Sequence, residues 1–299
     1  MICRLEICFL SNHLPQNSNK LSRVLYSSAY PVKKSIYHSL NMKIKSNLFL
    51  SVILFSAFCG LSSANNENQY IKKGDYYYSR FDNRNAVMYY QKAYRADKNS
   101  YYSIFKLTRS YNDLGEELYM LKNDDGAEKY IKKGADLSAV LVKKFPDSSL
   151  SYTLEAMCLG NLSLFGSTKK KIQLSSEVFS DANKAIKMNP NDFLPYTILG
   201  IYYRQVAGLS WFDKLIAGAI YGKIHKGSYQ ESIEMFDKSL KLDPNVISTE
   251  YNLYKTYEKL NNKKMEIECL EKLLKLPVTN FRDKYLIPRA KKNLAELLN

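Results

Sequence analysis

Residues 193–245 read FLPYTILGIYYRQVAGLSWFDKLIAGAIYGKIHKGSYQESIEMFDKSLKLDPN. Ser232, Phe236 and Ser239 are spaced by four and three, which puts them on one helix face. Small residues flanking an aromatic let a partner helix approach closely, and Pro244 beside Asp243 and Asn245 stops the helix and starts a turn. An earlier segment carrying Leu199, Gly200 and Tyr203 supplies that partner. The stretch is therefore a helix–turn–helix unit opened by about twenty extra residues between Gly208 and Ser228. That insertion holds the only tryptophan, Trp211, and the only histidine beyond residue 38, His225.

The same pattern recurs along the body. Ala86, Tyr90 and Ala93 repeat it with Lys98 in the proline slot. Gly134, Ser138, Leu141 and Pro146 form a looser copy, as do Val178, Ala182, Ala185 and Pro190. Gly74 and Tyr77 precede the first copy as Gly200 and Tyr203 precede the last. These units resemble tetratricopeptide (TPR) repeats, helical hairpins of about 34 residues that stack into a superhelix. The resemblance implies an all-α, TPR-like α-α superhelix with repeats at about 67–100, 101–147, 149–191, 193–245 and 247–279, closed by a capping helix over 281–298. The stop positions lie 48, 44 and 54 residues apart (Lys98, Pro146, Pro190, Pro244). Set against a 34-residue period, these distances place insertions inside hairpins at Gly115–Gly126, Gly166–Ser176 and Gly208–Ser228, where Gly, Lys, Ser and Asn mark turns.

Residues 166–192 (GSTKKKIQLSSEVFSDANKAIKMNPND), Leu199-Gly200, VAGLSW at 206–211 and SYQESIEMFDKSLKLDPN at 228–245 resemble the regulator of microtubule dynamics branch of TPR-like proteins, in its bacterial, exported form. The resemblance implies a binding scaffold, with microtubule or organelle-contact roles in animal members. It carries over no catalytic residue.

The N-terminus reads as targeting sequence. Residues 42–64, MKIKSNLFLSVILFSAFCGLSSA, have a basic start, an apolar stretch too short to span a bilayer, and a small-x-small end, as a secretory signal does. Residues 1–41 read as an upstream extension or a presequence, and 65–299 as the mature domain. The expected location is exported, periplasmic or secreted; the alternatives are a membrane-anchored or an organellar protein. Membrane association would come only through an uncleaved signal or a lipid anchor. An exported chain would not meet tubulin, so a microtubule role conflicts with this location. Of 44 basic and 29 acidic side chains, residues 1–64 hold seven and one, which leaves the body at net +9. Its charges are interspersed and predict no nucleic-acid partner. Cys158 and Cys269, the body's two cysteines, read as buried hydrophobes.

No catalytic apparatus is legible. His225 has no second histidine or carboxylate cluster near it, so neither a metal site nor a triad is expected, and no glycine loop cradles a phosphate. No cofactor is expected. Phe212, Leu215, Ile216, Ala219, Ile220 and Ile224 form a helical stripe inside the insertion. Tyr77, Tyr203, Trp211, Phe212, Leu215 and His225 are the candidate partner- or ligand-contacting residues. Gly74, Ala86, Tyr90, Ala93, Gly200, Ser232, Phe236, Ser239 and Pro244 are structural. Lys169, Lys170 and Lys171 read as a solvated turn. The expectation is a non-enzymatic scaffold binding a protein segment or peptide in its groove. The alternative is a small-ligand-binding periplasmic accessory component of a transport system.

Overall fold

The computed structural model describes residues 66–209 and 227–299, and the regular structure among them is helical. The helices are α1 (66–78), α2 (Asn83–Ala96), α3 (Tyr101–Met120), α4 (Asp124–Lys144), α5 (Ser149–Leu162), α6 (Thr168–Met188), α7 (Phe193–Ala207), α8 (Tyr229–Leu242), α9 (Ile247–Lys259), α10 (Lys263–Leu273) and α11 (Asp283–Leu298). A 3-10 turn, Ser163–Phe165, follows α5.

Two local devices recur, and they set the hairpins. Within a hairpin, Phe81, Lys122 and Asn261 take positive φ (61°, 64° and 52°). The next residue in each case, Asp82, Asn123 or Asn262, sends its N–H back to the carbonyl of Tyr77, Leu118 or Tyr257 and caps the following helix with its side chain. This is a Schellman turn fused to an N-cap. Between hairpins, Asp97, Asn189 and Asp243 accept the N–H of the residue two further on, at 2.7, 3.2 and 3.1 Å. Such an Asx turn leaves its middle position indifferent to side chain, which is why Lys98 replaces the proline found at 190 and 244. Ser228 caps α8, its Oγ accepting the Glu231 N–H and donating to the Glu231 carboxylate.

The signature residues pack as their spacing requires. Tyr90 and Phe236 are buried against glycines of the preceding helix: a Cβ on Gly74 would lie 2.4 Å from the Tyr90 ring, and one on Gly200 2.5 Å from Phe236. Ala86, Ala93, Ser232 and Ser239 are fully buried, and Pro244 is exposed in its turn. The small hydroxyls also bond between helices, within the fourth unit and from it to the fifth. Ser232 Oγ donates to the Gly200 carbonyl, and Thr197 Oγ1 lies 2.7 Å from Ser239 Oγ and 2.8 Å from Thr249 Oγ1. Cys158 and Cys269 are both buried free thiols.

Successive first helices touch one another (α3 on α5, α5 on α7, α7 on α9). Each second helix packs on its own partner and on the first helix of the next unit. The odd-numbered helices therefore form the inner layer of a helical-hairpin solenoid, and the even-numbered ones its splayed outer layer. Helix α11 packs on α9 and α10 and buries Leu286 and Ala290 in the last core cluster.

The extra length in the second and third hairpins is helix, not turn. Gly115 and Gly126 lie inside α3 and α4, and the connection is residues 121–123. Gly115 serves a close crossing, since a Cβ there would sit 2.5 Å from Ile131 Cγ1. Residues 168–176 likewise extend α6 at its N-terminus, with Ser167 as cap, so Lys169–Lys171 lie in its first turns. The core of the third insertion, 210–226, lies outside the described residues, and with it Trp211, Phe212, Leu215 and His225.

Candidate functional site

The inner surface is best defined on α3, where Tyr102, Lys106, Arg109, Asp113 and Glu116 follow one another by four, three, four and three residues. Toward α1, Lys106 Nζ pairs with Asp75 at 2.6 Å, and Tyr90 donates to the same carboxylate at 2.5 Å. Farther along, a group from the other end of the chain covers the stripe. Arg282 donates from Nε to Glu116 Oε1 (2.8 Å) and from Nη2 to Glu116 Oε2 (2.6 Å) and Asp113 Oδ1 (2.7 Å). Beside it, Tyr285 Oη donates to Glu117 at 3.3 Å, and Lys284 lies over the Phe81 ring. The curvature of the array thus returns the segment after the fifth hairpin to the second.

A turn built for the purpose presents Arg282. Asp283, fully buried, accepts the N–H groups of Thr279 and Asn280 at 2.8 and 3.0 Å, and Asn280 Oδ1 accepts the Arg282 N–H. On the receiving side Tyr78 donates to Asp113 at 2.8 Å, and Asn83 to Glu117 at 2.9 Å. Burial holds the Tyr78 hydroxyl protonated, reinforced by the Asp113 charge. Burial also works against the charge on Arg282, but Glu116 and Asp113 outweigh it and raise the guanidinium well above its ordinary value. With the Arg282 side chain 17% exposed, Glu116 21% and Asp113 1%, this is a largely desolvated charge cluster, bidentate to Glu116 and single-bonded to Asp113. Removing one partner from such a pair typically costs about 3–5 kcal/mol.

Neighbouring inner helices are also tied by amides. Asn161 donates to Asn112 at 3.0 Å between α5 and α3, and Arg204 grips the Asn252 carbonyl and side chain between α7 and α9. Next to the first of these ties, a cleft of about 250 Å³ opens between α5, α6 and α7, lined by Ala156, Met157, Val178, Ile198, Ile201 and Tyr202. A Cβ on Gly160 would meet nothing within 4 Å there.

Of the residues singled out in the sequence, Tyr77 stacks on Tyr89 (5.3 Å, 8°), while Tyr203 packs edge-on to Phe179 and Tyr202. They belong to separate core clusters, and the structure does not bring them together. The carboxylates of α3 and Arg282 were missed. Their only trace in the sequence is the excess length of the second hairpin. Among the described residues no group of His, Cys, Asp and Glu is arranged to hold a metal, and no helix is long and apolar enough to cross a membrane.

Hairpin order, inner layer and cap together define a TPR-like protein. A thermophilic TPR protein from Thermus thermophilus superposes with a TM-score of 0.55 at 14% identity, over 77% of this chain and 99% of its own. More narrowly, the family model described as Regulator of microtubule dynamics protein 1-3 matches residues 70–299, and the chain belongs to that family. Regulator of microtubule dynamics protein 1 of Mus musculus is 30% identical over 155 residues, covering 52% of this chain and 51% of its own length. The Homo sapiens protein 1 is 28% identical over 144 residues (48% and 46%), and Homo sapiens protein 2 is 29% identical over 130 (43% and 32%). The chain spans about half the length, or less, of these curated relatives.

Proposed function

We propose that this chain is a non-catalytic scaffold whose inner face holds a segment of a protein partner. One observation carries the reading: that face already holds a polypeptide segment, the chain's own residues 279–285, through side-chain hydrogen bonds and a charge pair. A photo-crosslinking residue at Arg109, on the inner stripe of the full chain, is expected to capture a discrete protein adduct. The same residue at Lys133, on the outer helix α4, is expected to capture none. Equal capture at both positions, or none at either, overturns the proposal.

The pattern at 42–64 supports an exported compartment for this scaffold. The native protein is then expected to begin at residue 65, and a native chain beginning at Met1 contradicts it. The cleft beside Gly160 favours a second reading, a small apolar ligand of transport or storage type. Native mass spectrometry of gently purified protein would show that ligand as a discrete added mass.

A further inference from the structure

Helix α11 is anchored on α9 and α10, while Arg282 and Tyr285 in and before its first turn bond to the second hairpin and Lys284 lies over Phe81 in the turn of the first. The central bond has a geometry that any arginine in an extended segment can reproduce: two parallel N–H donors to one carboxylate and a third bond to its neighbour. The position cannot stand open to no purpose. Without Arg282, the described ion pairs leave Asp113 with Arg109, which lies 3.7 Å away and stacks over Tyr78, and leave Glu116 with none. With Arg282 seated, the Asp113 side chain is only 1% exposed, so the site keeps both charges largely out of water. A guanidinium from another chain can replace those bonds in kind, whereas a lysine, as a point charge, makes a poorer substitute.

We propose that residues 279–285 are an internal occupant of the inner face, and that a partner's arginine-bearing segment docks on Asp113 and Glu116 by displacing Arg282. This rests on the reading of the inner face as the partner-binding surface and names the chemistry of the partner. Because the tethered segment competes at an effective concentration on the order of millimolar, an isolated arginine does not displace it. A productive partner adds contacts beyond the guanidinium, and the sites of Tyr285 and Lys284 show what kind: an aromatic hydroxyl toward Glu117 and a cation over Phe81.

The test uses the full chain and a fluorescent 13-residue peptide of its own residues 278–290, VTNFRDKYLIPRA. R282A is expected to bind this peptide at least tenfold more tightly than the unaltered chain. Replacing the peptide's first arginine by alanine, or adding E116Q to the R282A chain, is expected to abolish the gain. Equal binding by the two chains, or equal binding of the arginine-less peptide, overturns the proposal. Should R282A not fold, hydrogen exchange on the unaltered chain decides: excess peptide must strip protection from amides of 279–298, and unchanged protection is the contrary result. A partner captured from Arg109 whose yield is indifferent to E116Q would leave the scaffold standing and remove the displacement. No capture at Arg109 would remove both.

Discussion

The glycine–aromatic contact is the hinge of the repeat, and Gly200→Ala tests it. A Cβ at 200 would lie 2.5, 2.7 and 2.8 Å from three atoms of the Phe236 ring, where ordinary contact begins near 3.4 Å. Ring and helix α7 must therefore part by about 0.9 Å. Phe236 is fully buried and cannot swing aside. Overpacking of this kind costs about 1–3 kcal/mol, and alanine returns about 1 kcal/mol of helix propensity. With an overlap this large against an immobile ring, a net loss of about 1–2 kcal/mol is expected. Gly160→Ala is the matched control: it has the same propensity gain and open space, so it is expected to stabilise by about 0.5–1 kcal/mol. Urea melts followed by circular dichroism give the two signs. Hydrogen exchange of α7 and α8 amides localises the loss, since a repeat array need not unfold as one unit. Adding Phe236→Leu to the Gly200→Ala chain should recover part of the deficit. If Gly200→Ala were as stable as the parent, or Gly160→Ala lost as much, the close-approach argument would be wrong.

Lys122 holds φ at 64° in an exposed turn, a conformation that costs a non-glycine residue about 1–2 kcal/mol, so Lys122→Gly is expected to raise the melting temperature and Lys122→Ala to leave it nearly unchanged. Burial, then repulsion from Asp181 and Glu177, pushes the Glu155 carboxyl up to about 7, and burial with Glu177 brings Asp181 to about 6 despite Lys184. The folded chain therefore binds more protons than the unfolded one between about pH 4.5 and 7, and stability falls as pH rises through that window. Glu155→Gln should gain about 1 kcal/mol at pH 8, discounted for partial solvent screening, and nothing at pH 4, by denaturant titration at both. Thr197→Val strands the buried hydroxyls of Ser239 and Thr249 and is expected to cost about 1–3 kcal/mol in the same titration.

The residues that made the fold legible are those whose role is local. Tyr90 and Phe236 need a glycine opposite and small residues four before and three after, and a helix period of 3.6 makes that spacing visible in sequence. The hairpin turns were harder to read, because two of their three left-handed residues are Phe81 and Lys122, which carry no turn signal. The insertion in the second hairpin was legible as a length but not as a shape. Glycines 115 and 126 suggested a loop, yet at 115 the missing side chain admits Ile131 of the facing helix. Tyr77 and Tyr203 read as candidate partner- or ligand-contacting residues. Each is half-buried beside a neighbouring ring at the edge of a local core, a placement set by the facing helix rather than by spacing.

The Arg282 contact was beyond any local reading, for a physical reason. It joins positions 166 and 169 residues apart, and whether those positions meet depends on a curvature summed over the intervening hairpins. An open solenoid has contacts only between neighbouring units, so its ends fray independently and each interface bears its own opening cost. One tie between the second hairpin and the segment after the fifth changes that coupling. Any interface between them can then open widely only if the tie breaks or the strain is shared along the array. The two extra turns of α3 that carry Glu116 and Glu117 are what make the tie possible, and a plain 34-residue unit would end before reaching them. The irregular length that marked this hairpin as an exception in the sequence is therefore what lets the second hairpin and the segment after the fifth be tied directly. A partner that takes the place of Arg282 would loosen the whole array as well as the inner face where it binds.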